Sequence, residues 1–200
     1  NRIQLNIHQT LGSEDFAMET ATKNNLDHDF EVTRLQYYIS EISIVHDGGM
    51  ETMFDDFWVL VNASETTQVD LEDSNINSVE MVKLHIGVDP DHNHEDPASY
   101  PSTHPLAPQA PSMHWGWVAG YRFAAIEGNG GSNFNQSIEI HALGDGNYFT
   151  TEIPLAVEAS NNEVVINLDA DYTRTLEDLS VNGGLIVHSE EGAAIDCLEN

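Results

Sequence analysis

The feature that most constrains the fold is a series of short segments in which apolar and polar residues alternate. Residues 2–8 place leucine and isoleucine on one face and polar side chains, ending with His8, on the other. Such alternation is typical of a half-buried β-strand. Residues 31–45 are rich in β-branched and aromatic side chains and lead into the turn sequence His46-Asp-Gly-Gly49. This pattern predicts a second, longer strand that ends in a hairpin.

Further short apolar segments follow, with Gly, Asn and Asp between nearly all of them. They are residues 57–61, 79–88, 120–127, 136–143, 148–155, 163–168 and 184–187. Helical periodicity is weak, apart from short turns expected near residues 71–77, 175–179 and 193–198. Spaced short strands with turn residues between them indicate an antiparallel β-sandwich or barrel. Because no long break separates the apolar segments, we expect a single domain over residues 1–200.

A long loop interrupts the strand pattern between Asp89 and Met113. It is rich in histidine and contains six of the seven prolines of the chain, at positions 90, 97, 101, 105, 108 and 111. This loop is too long and too rich in proline to be a simple hairpin connection. Long ordered loops on a β-sandwich often carry functional residues, so we expect part of the functional site here.

The charge of the chain excludes several kinds of partner. Six Lys and Arg residues stand against 34 Asp and Glu residues, and the formal net charge is −28. Such a field repels nucleic-acid phosphates and anionic lipids and attracts cations. We therefore expect no nucleic-acid partner. No apolar run reaches the roughly 20 residues that span a bilayer, so we also expect no membrane span.

The two ends of the chain carry smaller signals. Cys197 is the only cysteine, so it cannot form an internal disulfide. The chain begins at Asn1 and not at Met, which is typical of a protein whose signal peptide has been removed. We therefore expect an extracytoplasmic location, either periplasmic, secreted or attached to the cell surface.

Oxygen-bearing side chains recur at every second position early in the long loop, at Asp89, Asp91, Asn93 and Glu95. The first half of a calcium-binding loop offers its ligands with this spacing. An EF-hand would also need Gly at its sixth position and Glu at its twelfth, where this chain has His94 and Tyr100. Two interpretations therefore stay open, a calcium site in an irregular loop and a solvated acidic loop.

The densest cluster of potential metal ligands follows the loop, at Met113, His114, Trp115 and Trp117. Thioether and imidazole groups together suit copper better than zinc or calcium, and indole rings around such a site would exclude water. Large aromatic side chains are equally typical of a protein core. His114 is therefore our first candidate copper ligand, with Met113 close to it.

Three more histidines lie at the ends of predicted strands, at His8, His141 and His188. Strand alternation places His141 on the face opposite Ile138 and Ile140, so it need not lie in the main core. Strand-end histidines that the fold brings together would form a rigid metal site. Isolated histidines are also common as hydrogen-bonded surface residues, and the sequence does not decide between these interpretations.

Motifs of common enzyme classes are absent from the sequence. We find no Gly-x-Ser-x-Gly, no glycine-rich phosphate loop and no His-Glu-x-x-His, and a single cysteine near the end of the chain is a poor nucleophile candidate. We therefore expect a binding protein and not an enzyme. A hydrolase with a metal-bound water is an alternative, but it needs an open coordination position.

Several segments, in this order along the chain, resemble a known family. They are Leu5-Asn-Ile-His8 with Leu11-Gly12, Val32-Thr-Arg-Leu-Gln-Tyr-Tyr-Ile-Ser40, Ile86-Gly-Val-Asp89, Met113-His-Trp-Gly-Trp-Val-Ala-Gly-Tyr121 with Glu127-Gly128, and His141-Ala-Leu-Gly144. The resemblance is to the MbnP-like family of extracytoplasmic copper-binding proteins, which includes methanobactin-associated MbnP and the copper-repressible surface proteins of methanotrophs.

The resemblance implies an antiparallel β-sandwich that binds one copper ion through histidines and serves copper acquisition or handling, with a redox or copper-transport protein as a partner. Some members carry a tryptophan oxidised to kynurenine, and Trp115, Trp117 and Trp58 are the candidates for such a residue or for lining the site. The Trp-x-His sequence of those members does not occur here. A calcium-stabilised module for adhesion or binding at the cell surface is the alternative function.

Overall fold

The computed structural model describes residues 1–200 and is an all-β sandwich. Its strands are β1 (Arg2–Leu11), β2 (Glu14–Asp15), β3 (Thr22–Lys23), β4 (Asp29–His46), β5 (Met50–Asn62), β6 (Thr67–Leu71), β7 (Ser78–Ile86), β8 (Ala124–Gly130), β9 (Gln136–Ala142), β10 (Phe149–Glu158), β11 (Glu163–Asp171) and β12 (Leu185–Ser189). One α-helix, α1, covers Ala193–Glu199, and short 3-10 turns cover Pro97–Ser99 and Asp145–Asn147. None of these helical segments has the length and apolar character that crossing a bilayer requires.

Two sheets form the sandwich. The smaller sheet has the order β11-β1-β2, and β6 also pairs with β1. The larger sheet has the order β10-β7-β4-β8-β9-β12, and β3 and β5 pair with β4. The prediction of an antiparallel sandwich is confirmed, although two pairs, β1 with β11 and β9 with β12, are parallel.

The main core lies between the two sheets. Alternate residues of β1, namely Ile3, Leu5 and Ile7, are at most 3% exposed and belong to one apolar cluster with Ile42 and Ile44 of β4. Each fully buried aliphatic side chain contributes about 1.5–3 kcal/mol to folding through the hydrophobic effect. The alternation that predicted β1 therefore reflects burial against the facing sheet.

The loop between β7 and β8 has a small core of its own. Leu106, Met113, Tyr121 and Phe123 are at most 1% exposed and pack against Tyr38 of β4. The Tyr121 hydroxyl donates to the carbonyl of Leu106 at 2.6 Å. The aromatic residues around His114 are thus divided, because some fill this small core and others reach the surface.

Two local predictions differ from the structure. Residues 120–123 are not part of β8, because Tyr121 pairs only with His114 in an isolated bridge while Phe123 fills the loop core. No helical turn forms at residues 71–77, which extend from β6 to β7. The helical turn expected at residues 193–198 is confirmed as α1.

Gly128 of β8 offers a test of how tightly the larger sheet is packed. A Cβ atom at this position would lie 2.1 Å from the carbonyl oxygen of Glu31 in β4, so one of the two strands must shift. We expect Gly128→Ala to lower the free energy of unfolding by about 1–3 kcal/mol, the usual cost of overpacking. Gly146→Ala, whose Cβ would meet nothing within 4 Å, should change it by less than about 0.5 kcal/mol. Urea unfolding curves measure the free energy of unfolding of both variants. Equal transition midpoints for Gly128→Ala and Gly146→Ala would contradict the tight β4–β8 contact.

Candidate metal centre

The centre is formed by Glu139 and His141 of β9 and His188 of β12. Parallel pairing sets His141 directly beside His188, and the two imidazole rings stack with centroids 4.5 Å apart. Glu139 lies two residues before His141 and therefore on the same face of β9. One potential ligand atom from each of the three residues lies within 4.8 Å of the others, and the fold forms no other such group of His, Cys, Asp or Glu.

A hydrogen bond fixes which nitrogen of His141 is free. Nε2 of His141 lies 3.0 Å from Oε1 of Glu127, and the same oxygen accepts from Nη1 of Arg34 at 2.6 Å. Because a carboxylate only accepts, neutral His141 carries its proton on Nε2. Nδ1 therefore holds a lone pair. This atom is buried and has no hydrogen-bond partner.

The electrostatics keep His141 neutral. His141 is 2% exposed, and burial lowers its pKa below the usual value for histidine, against the hydrogen bond to Glu127. For Glu127, burial acts in the opposite direction, but the hydrogen bonds from His141 and Arg34 outweigh it and lower the pKa. The pair is thus a neutral imidazole oriented by an ionised carboxylate, which is a common arrangement around metal ligands.

His188 and Glu139 are already in contact. Nε2 of His188 lies 2.9 Å from Oε1 of Glu139, and Nδ1 of His141 lies 3.9 Å from the same oxygen. A metal ion coordinated by imidazole nitrogen at about 2.0–2.1 Å would replace the His188–Glu139 hydrogen bond. The carboxylate oxygen would then lie beside the ion as a third donor.

The indole ring of Trp115 covers the histidine pair. Its centroid lies 4.7 Å from that of His188 and 5.4 Å from that of His141. The guanidinium carbon of Arg122 lies 4.4 Å from the centroid of the Trp115 ring. Beside this cover, a groove lined by Trp115, His188, Glu190 and Glu191 opens to solvent. Its two glutamates attract cations toward the site.

His114 and Met113 have other roles in the structure. Nδ1 of His114 accepts a hydrogen bond from the amide of Gly116 at 3.2 Å, so neutral His114 carries its proton on Nε2. This Nε2 atom is buried and, like Nδ1 of His141, has no hydrogen-bond partner. The His114 ring packs edge-on against Tyr121 at 4.8 Å, and burial lowers its pKa. The sulfur of Met113 lies 3.3 Å from Nη2 of Arg34. Neither residue belongs to the Glu139–His141–His188 group.

The remaining candidates lie apart from this group. His8 is exposed on β1 of the smaller sheet, whereas His141 and His188 belong to the larger sheet. Trp117 is 70% exposed. Trp58 contacts the rings of His92 and His104 and donates from Nε1 to Asp89 at 3.0 Å. Of the three tryptophans proposed from the sequence, Trp115 is the one that covers the candidate metal centre.

The four residues proposed for calcium use their oxygen atoms elsewhere. Asp89 accepts from Trp58 and from the ring of His92, and Glu95 accepts from the hydroxyl of Tyr100. Asn93 is fully buried, accepts from the amide of Tyr121 at 2.8 Å and donates to Asp145 at 2.6 Å. Asp91 is exposed. These contacts anchor the loop to Trp58 of β5 and to Asp145 beyond β9. The carboxylates of Asp89, Asp91 and Glu95 form no cluster like that of Glu139, His141 and His188.

Sequence reasoning did not select two carboxylates, Glu139 in the centre and Glu127 beside it. Glu139 could have been found from strand alternation, because it shares a face with His141. Glu127 lies on the neighbouring strand, and only the register that pairs Glu127 with Glu139 and Ala125 with His141 shows its role. No local sequence signal carries that register.

The comparisons with known proteins agree with the resemblance seen in the sequence. The model of the MbnP family matches residues 1–190. No curated protein matches the chain. Among solved structures, MbnP from Methylosinus trichosporium has the same fold, with a TM-score of 0.55 and 11% sequence identity, over 96% of this chain and 83% of that one. This protein therefore belongs to the MbnP family.

Proposed function

We propose that this protein is an exported copper-binding protein that holds one copper ion between His141 and His188. The observation that carries the proposal is Nδ1 of His141, a buried nitrogen with a free lone pair and no partner. It lies beside the stacked ring of His188. A buried polar atom without a partner costs about 1–3 kcal/mol, and a metal ion would remove this cost.

The donor chemistry fits copper. Imidazole nitrogen is a good ligand for copper and also for zinc, iron and nickel, so the histidines alone do not identify the metal. Membership of a copper-related family supports copper among these ions. Trp115 covers one side of the proposed site and limits its contact with water, as an apolar shell around a metal commonly does.

The proposed role is acquisition or handling of copper without catalytic turnover. The groove lined by His188, Glu190 and Glu191 gives a redox or copper-transport partner a path to the ion. A partner that docks beside these carboxylates would carry a basic surface, since complementary charge steers association. The extracytoplasmic location is part of this proposal.

The first test is the stoichiometry of copper after gel filtration. We expect about one equivalent in the unmodified protein, since one histidine pair provides one site. His141→Ala and His188→Ala should each remove most of it. His114→Ala and His8→Ala are matched controls and should retain it, because these residues lie outside the Glu139–His141–His188 group. Loss of copper in His114→Ala with retention in His141→Ala would contradict the proposed ligand pair.

A second prediction concerns pH. Imidazole binds a metal only when neutral, and its ordinary pKa is about 6.5. We expect copper occupancy, measured after equilibrium dialysis, to fall as pH drops below about 6. Burial lowers the pKa of His141, so this ligand stays neutral to lower pH than an exposed histidine does, and its protonation should complete the loss. Occupancy unchanged at about pH 4 would instead point to carboxylate ligands.

The alternative of a calcium-stabilised module has its own test. Because Asp89, Asn93 and Glu95 are already hydrogen-bonded to Trp58, Asp145 and Tyr100, we expect calcium and magnesium to shift the melting temperature equally at equal ionic strength. A specific calcium site would respond more strongly to calcium, since magnesium demands a smaller octahedral shell. A larger shift with calcium that disappears in the double variant Asp89→Asn, Asp91→Asn would restore the calcium hypothesis.

A further inference from the structure

A cavity lies between the larger sheet and β11, separate from the candidate metal centre. Its volume is about 280 Å³, and most of its lining side chains are hydrophobic. Residues of β4, β7, β8 and β10 form one wall, Ala170 of β11 lies opposite, and α1 closes a third side with Cys197. The cavity shares no residue with the Glu139–His141–His188 group, and α1 lies outside the residues that match the family model.

The cavity lies where two hydrophobic clusters meet. One cluster is the main core, which includes Ile39 of β4, and the other includes Leu35 of β4 and Cys197 of α1. Tyr37 and Ala170 pack against both clusters. Protein interiors are close-packed, with few voids larger than a water molecule, so a gap of this size leaves its lining side chains short of contacts. A bound apolar molecule would restore these contacts.

The size of the cavity restricts what can bind in it. An apolar cavity of about 150 Å³ stays dry and holds one benzene molecule, and the sites of drug-sized ligands measure about 300–1,000 Å³. This cavity therefore admits a molecule with one or two rings and excludes a folded segment of a protein. Three aromatic residues, Tyr37, Phe149 and Tyr172, are among the lining side chains, and such rings pack favourably against other aromatic rings.

The rim of the cavity is acidic. Asp171 and Glu199 are the charged residues that line it, and no basic residue does. Burial raises the pKa of Asp171, but hydrogen bonds from Gly12 and Thr173 outweigh this effect and lower the pKa below its ordinary value. All of these bonds go to Oδ1 of Asp171. Its Oδ2 atom is therefore free to accept a hydrogen bond from a ligand.

We propose that this cavity binds a small hydrophobic amine. The apolar body lies between β4 and β11, and the ammonium group contacts the ionised carboxylate of Asp171 at the rim. Aromatic faces also attract ammonium groups, whereas the acidic rim repels an anionic ligand. Arg174 lies near Asp171, but its guanidinium pairs with Glu177 at 3.0 Å. Copper plays no part in this binding, so the amine site and the proposed function can fail separately.

The test uses three probes that share a phenyl ring and differ in charge, namely 2-phenylethylamine, 2-phenylethanol and 3-phenylpropionate. Calorimetric titration of the whole protein measures the affinity for each. We expect the amine to bind at least about tenfold more tightly than the anion, the ratio that one ion pair and one contact with an aromatic face give together. The alcohol should lie between them. Equal affinities, tighter binding of the anion, or no binding of any probe would overturn the proposal.

Cys197 reports whether the amine occupies the cavity. It is the only cysteine of the chain, it is buried, and it lines the cavity. We expect 2-phenylethylamine to slow the alkylation of this thiol by N-ethylmaleimide in proportion to occupancy, because the reagent and the amine compete for the same space. At the same concentration, 3-phenylpropionate should protect the thiol much less. Unchanged alkylation at saturating amine would mean that the amine binds elsewhere, and the proposal would be wrong.

Two pairs of variants test the walls and the rim. Ala170→Leu fills the cavity and should abolish binding of all three probes, whereas Ala156→Leu on β10, outside the lining, should leave binding unchanged. Asp171→Asn should remove the preference for the amine, and Asp169→Asn, on the same strand but outside the lining, should retain it. Circular dichroism verifies each fold, and Asp171→Asn decides if Ala170→Leu does not fold. Retention of amine binding in a folded Ala170→Leu protein, or equal effects of Asp171→Asn and Asp169→Asn, would overturn the proposal.

Discussion

The hydrogen bond between Glu127 and His141 is the interaction on which the centre depends. Glu127 occupies β8, between Arg34 of β4 and His141 of β9, and one of its oxygens accepts from both. The contact joins three neighbouring strands of the larger sheet through a partly buried ion pair, and loss of one partner would leave an uncompensated charge in a poorly solvated place. It also assigns the proton of His141 to Nε2, and so it creates the free lone pair on Nδ1.

The loop between β7 and β8 contributes the Trp115 ring that covers the candidate centre. Its own core holds Met113 and Tyr121 in place, and Trp115, between them in sequence, is thereby carried over the stacked histidines. The fully buried side chain of Asn93 stabilises this arrangement, because its Oδ1 atom accepts a hydrogen bond from the Tyr121 amide. The oxygen-rich start of the loop, which resembles half of a calcium loop, thus has a structural explanation in this protein.

Strand alternation and strand ends were enough to predict the sandwich and to place His141 and His188 among the candidates. Their meeting could not be predicted, because it depends on the parallel pairing of β9 with β12, which are far apart in the chain. His114 was the first candidate because Met113 and Trp115 flank it. Its position follows instead from a local bond, Nδ1 to the Gly116 amide, and sequence composition carries no information about that geometry.

The position of β12 at the edge of the larger sheet has a mechanical consequence. This strand has β9 as its single strand neighbour, and Ile186 on it is 65% exposed. Edge strands open more readily than interior ones, and a ligand that binds only the closed state adds its binding energy to the cost of opening. An ion bound by both His141 and His188 would therefore link the edge strand β12 to β9 and make the opening of this edge less favourable. Release of the ion and opening of β12 would be thermodynamically coupled.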